Sequence, residues 1–142
     1  MGGLRYFSLS RYKDFILLIA RVLIVILFIL FGYPKLTGFN ETVHYMASLG
    51  VSVPTFAATI AVLMEVGASI LIVLGFFTRP IALAFALYTV GAGIVGHAYW
   101  HMFSDIVTMK ANMLHFYKNI SITGGFLLLS ITGPGAWSLD RH

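Results

Sequence analysis

The chain has 142 residues, of which 59% are hydrophobic and 10% charged, and its mean hydropathy is +0.92. A soluble domain carries about 25% charged residues, so this chain lacks the polar surface to cover a water-soluble globule and reads as an integral membrane protein. The net charge of +4 then serves orientation and contact with anionic headgroups rather than nucleic acid, and the absence of cysteine excludes disulfides, thiolate metal sites and thiol redox chemistry.

A spanning helix needs about 20 mainly apolar residues. Four stretches qualify in chain order, at about 14–33, 54–77, 80–97 and 112–133, the last with polar residues in its first third. Gly32, Pro34 and Gly38 punctuate the end of the first stretch, and Pro54 sits where a first helical turn tolerates proline. The junction Gly75–Pro80 is short enough to demand a tight helical hairpin, and Gly133, Pro134 and Gly135 end the fourth stretch. No linker separates domains. The reading is all-α: one domain over 1–142, an integral membrane four-helix bundle. The first hydrophobic run is too long for a signal-peptide core and lacks a small-residue cleavage site, so it is expected to be retained.

Orientation follows from the basic residues of the short loops. Arg5, Arg11, Lys13, Arg79 and Arg141 lie on one side and Lys35, Lys110 and Lys118 on the other, which favours cytoplasmic N- and C-termini. Small residues on the second, third and fourth stretches suit close packing inside the bundle, with a homo-oligomeric seam as the alternative.

Ionisable groups inside hydrocarbon cost at least about 2.5–3.5 kcal/mol, so each needs a reason. Arg21 and Glu65 are opposite charges within the first and second stretches and are expected to form an intramembrane ion pair that fixes helix register. A second group gathers toward the other face: Lys35, His97, His101, and the run MLHFYKN with His115, Lys118 and Asn119. Tyr99, Trp100, Phe103, Phe116 and Tyr117 surround it in sequence and read first as an interfacial aromatic belt. His97 and His101 share a helix face if the helix continues, with His44, His115 or Asp105 as third ligands, but a pair without a defined third ligand does not establish a metal site. A mouth lined by His97, Lys118, Asn119, Lys35 and His101 suits a flat molecule with a polar head, such as a quinone.

The segments RVLIVILFILFGYPKLTGF, VLMEVGASILIVLGFFTRP, GIVGHAYW and FYKNISITGGFLLLSITGPGAWSLDR, in this order from about Arg5 to Arg141, resemble the DoxX family. The resemblance implies a small four-helix, multi-pass protein of the bacterial inner membrane associated with quinol- or thiosulfate-oxidising complexes. The positions that match are Arg21, Lys35, Glu65, Arg79, His97, Lys118, Asn119 and Asp140. The resulting expectation is an accessory or binding subunit of a quinone-linked redox system, with quinone as the candidate cofactor and a redox protein as partner. A membrane scaffold and a small proton-coupled permease are the alternatives. No residue is assigned a catalytic role.

Overall fold

The computed structural model describes residues 8–141, and all regular structure among them is helical. A 3-10 turn, Ser10–Tyr12, enters α1 (Lys13–Thr37), and α2 (Phe39–Ser48) follows after Gly38. Next, α3 (Pro54–Val62) passes through a π-helical segment, Leu63–Ala68, into α4 (Ser69–Leu74). The chain continues as α5 (Thr78–Gly96), a 3-10 turn at Tyr99–His101, and α6 (Ile106–Thr132). Three stretches, Ser10–Thr37, Pro54–Leu74 and Thr78–His101, are long and apolar enough to cross a membrane. The remaining long helix, the 27-residue α6, packs along α5 in the most extensive pairing of the fold.

Lipid tails are as apolar as leucine, so such helices associate by close packing and internal hydrogen bonds. The packing centre is aromatic. Phe85 and Phe126 stack at 4.5 Å, and Phe28 meets them at 5.0 and 5.8 Å, tying α1, α5 and α6 together. Each such pair adds about 0.5–1.5 kcal/mol beyond its buried area. Val25, Ile72, Ala82, Ala86 and Leu129 complete the buried cluster.

The two ends of the described chain meet at one end of the bundle, where Asp14 Oδ1 accepts from the Ala136 amide at 2.8 Å. The C-terminal segment then lies along the α4–α5 turn: the Leu139 and Asp140 amides donate to the Leu74 and Gly75 carbonyls. Asp140 in turn accepts from the Phe77 and Thr78 amides, satisfying the start of α5. Gly75 has φ +68°, and a Cβ there would lie 2.3 Å from Ser138 Cβ, so the turn demands glycine twice over. Arg79 reaches the Ser130 and Ile131 carbonyls at the end of α6. Of the residues that set the expected orientation, Arg5 lies outside the described residues.

Candidate functional site

At the other end of the bundle the helices part around a cavity of about 590 Å³, within the range of small-molecule sites. Leu27, Phe28 and Phe31 of α1, Ala57 and Ala61 of α3, and Gly91, Ala92 and Val95 of α5 give it apolar walls. Tyr45 and Met46 of α2, with Leu49 and Val51 beyond it, line a further wall. Polar groups are few and concentrated.

Glu65 is the deepest of them in solvent terms, 5% exposed. Its two carboxylate oxygens each accept from Lys35 Nζ at 2.7 Å, and Oε1 also accepts from the Tyr88 hydroxyl at 2.6 Å. Two local features create this geometry. The π-helical turn centred on Glu65 interrupts the regular α-helical register, a distortion common at functional sites. Gly32 lets α1 approach so closely that a Cβ there would sit 2.6 Å from Glu65 Cβ, and Lys35, one turn further on, reaches across that contact.

Arg21 does not pair with Glu65 as expected. Its guanidinium donates to the Ile72 and Val73 carbonyls at 3.4 and 2.8 Å and to the Trp137 carbonyl. Those acceptors lie seven or eight residues beyond Glu65, a rise of roughly 10–12 Å, so the two charges stand at different levels. Arg21 instead satisfies carbonyls at the end of α4 and holds the C-terminal segment, fully buried as it does so. The partner of Glu65 is Lys35, which forms an ion pair with it.

The second polar group lines the same cavity from α6 and the end of α5. His97 Nδ1 lies 3.0 Å from Asn112 Oδ1, and the Asn112 amide is oriented by Nδ2 donating to the Thr108 carbonyl. His97 Nδ1 therefore carries the proton. Lys118 Nζ lies 3.2 Å from His115 Nδ1; an ammonium can only donate, so that nitrogen is an acceptor and His115 is a neutral ring with Nε2–H as its remaining donor. The two imidazoles face each other at 5.0 Å. Asn119, 9% exposed, packs against Gly93 of α5.

Lys35, Glu65, His97, Lys118 and Asn119 are thus gathered at one cavity, while Arg21, Arg79 and Asp140 hold the opposite end. His101 is not part of the gathering. Helix α5 ends at Gly96, His97 leaves helical geometry (φ −132°, ψ 45°), and His101 emerges on an exposed turn outside the cavity lining, so the expected shared face does not form. Tyr99, Trp100, Phe116 and Tyr117 pack on one another beside the cavity rather than in its wall. The aromatic residues that do line it are Phe28, Phe31, Tyr45 and Tyr88. Tyr88 carried a signal in its position: a hydroxyl well inside an apolar stretch, away from the interfacial belt, needs a partner.

The DoxX family model matches residues 16–98, a range that includes Lys35, Glu65, Tyr88 and His97. Along the whole of both chains, 142 residues, the sequence is 58% identical to inner membrane protein YphA of Escherichia coli (strain K12). It is 42% identical over 133 residues to inner membrane protein YqjF of the same organism, covering 94% of this chain and 95% of that one. A shorter match, 32% over 75 residues, covers 53% of this chain and 54% of CatD of Bacillus subtilis (strain 168), whose name offers oxidoreductase only as a candidate activity. No solved structure matches the chain.

Proposed function

Because the chain belongs to the DoxX family of inner-membrane proteins, we propose that it is a binding subunit of a quinone-linked redox system, holding a flat amphipathic molecule in the cavity between its helices. The observation that carries this reading is the cavity itself: apolar walls of about 590 Å³ with the Glu65–Lys35–Tyr88 network on one side and His97, Lys118 and Asn119 on another. A quinone ring suits the walls, and its oxygens suit the donors. With no cysteine in the chain, electrons pass between the bound ring and a partner protein.

In this reading α6 is a fourth span and both termini are cytoplasmic. The contact of Asp14 with Ala136 supports an even number of crossings, since it holds both ends of the described chain at one end of the bundle. The cavity then faces the outer half of the membrane.

The test fills the cavity without touching its polar groups. A Cβ at Gly91 would meet nothing within 4 Å, so Gly91→Phe adds a ring on the α5 wall without a backbone clash. Native mass spectrometry of detergent-purified protein is expected to show a quinone retained by the wild type and lost from the Gly91→Phe variant. Bulk phospholipid alone in both proteins refutes the binding-subunit reading and leaves a membrane scaffold in its place.

A further inference from the structure

The charge balance of the cavity narrows the kind of molecule it holds. Its lining carries two lysines, Lys35 and Lys118, against one carboxylate, Glu65. That carboxylate is already engaged: both oxygens accept from Lys35, and one accepts from Tyr88 as well. Lys118 has no carboxylate partner among the described residues and spends one of its three donors on a neutral imidazole, His115 Nδ1. An ammonium at an apolar-walled cavity is costly without a counter-charge, because low dielectric strengthens the interaction it lacks. The imidazole beside it is a donor too, since His115 keeps its Nε2–H.

We infer that the cavity is built for an amphipathic organic anion, whose oxyanion sits on Lys118 and His115 while its ring or chain lies along the apolar walls. Resting on the binding-subunit reading, this specifies its ligand as an acidic hydroxyquinone, phenolate or carboxylate rather than a neutral quinone. The anion completes the charge of the site as Glu65 completes that of Lys35. A neutral quinone offers only carbonyl acceptors to Lys118 and leaves its charge in place, whereas an oxyanion compensates it.

The experiment compares two probes with the same body. 2-Hydroxy-1,4-naphthoquinone is an anion at neutral pH, and 2-methoxy-1,4-naphthoquinone is its uncharged counterpart. Isothermal titration calorimetry on the detergent-solubilised full chain, with empty micelles as blank, gives both affinities. The wild type is expected to prefer the hydroxy probe by about tenfold. Lys118→Met is expected to abolish that preference, and Lys118→Arg, which keeps the charge if the methionine variant fails to fold, to retain it. Equal affinity of the wild type for both probes overturns the anion assignment and leaves the quinone-binding reading standing, as does a preference that survives Lys118→Met. Binding of neither probe overturns both.

Discussion

Removing Lys35 should damage this protein more than removing Glu65, although the two form one ion pair. The difference lies in exposure: the Lys35 side chain is 30% exposed and that of Glu65 7%. In Glu65→Gln, the stranded ammonium has a stem of four methylenes and can turn its head toward the cavity opening and water. Discounted for that exposure, the loss is about 1–2 kcal/mol, the scale of one net hydrogen bond to a charged group. In Lys35→Met, the carboxylate has no such freedom. It keeps the Tyr88 hydroxyl, yet loses both of its 2.7 Å bonds to the ammonium. Stranding one partner of a buried pair costs about 3–5 kcal/mol. The double variant, Lys35→Met with Glu65→Gln, removes both charges and should lose less than the sum of the single losses, by a coupling of at least about 1 kcal/mol. Unfolding by SDS titration, followed by far-ultraviolet circular dichroism, measures all four proteins. Equal losses for the two single variants, or strict additivity in the double one, would refute the pairing and the burial argument together.

Three further outcomes follow from the same geometry. Gly32→Ala places a Cβ 2.6 Å from Glu65 Cβ, an atom fixed to its backbone, so α1 must move off the π-helical turn; a loss of about 1–3 kcal/mol is expected, together with weakened quinone retention. Arg21→Met should cost about 2–3 kcal/mol and speed proteolysis at the C-terminal segment, because the Ile72, Val73 and Trp137 carbonyls lose their donor, while retention of a quinone at the far end stays unchanged. Asp105 caps α6 through the Thr108 hydroxyl and the Val107 amide, bonds that favour its ionised form and hold its pKa below the usual carboxylate value. A lowered folded pKa means the contribution is complete above the ordinary Asp value and lost as pH falls through the folded one. The difference in unfolding midpoint between wild type and Asp105→Ala should therefore be present at neutral pH and close below about pH 4.

Much of the architecture was legible because membrane helices announce themselves by length and hydropathy, and Pro54, Gly75 and Gly133 stand at their ends for backbone reasons. The gathering of Lys35, Glu65, His97, Lys118 and Asn119 was legible only as suspicion: an ionisable residue in an apolar stretch needs a partner, but the sequence does not say which. Opposite sign within adjacent apolar stretches is all that points Arg21 to Glu65 in the sequence. What decided the pairing was rotation and level, set by Gly32 against the π-helical turn, and a π-insertion leaves no period in a stretch this uniformly apolar. His101 failed for a local reason. The i, i+4 relation holds only inside a helix, and the chain leaves the helix at Gly96.

The fold partners its cations in two different ways at its two ends, and the contrast bears on function. Arg21, buried, and Arg79, exposed, donate to backbone carbonyls at the last turns of α4 and α6, where each helix leaves acceptors unsatisfied in any case. Such pairing is closed, since the acceptors belong to the fold and have no second use. Lys118 could have been handled in the same way and is not; it donates to a single imidazole and borders a cavity. A bundle that needed only to be stable would replace that lysine with leucine at no cost in packing area and with a gain in lipid. On the proposed reading that lysine, beside Asn119 and His115, is there for a ligand, which makes Lys118 rather than the better-connected Glu65 the residue whose charge most directly tests the proposal.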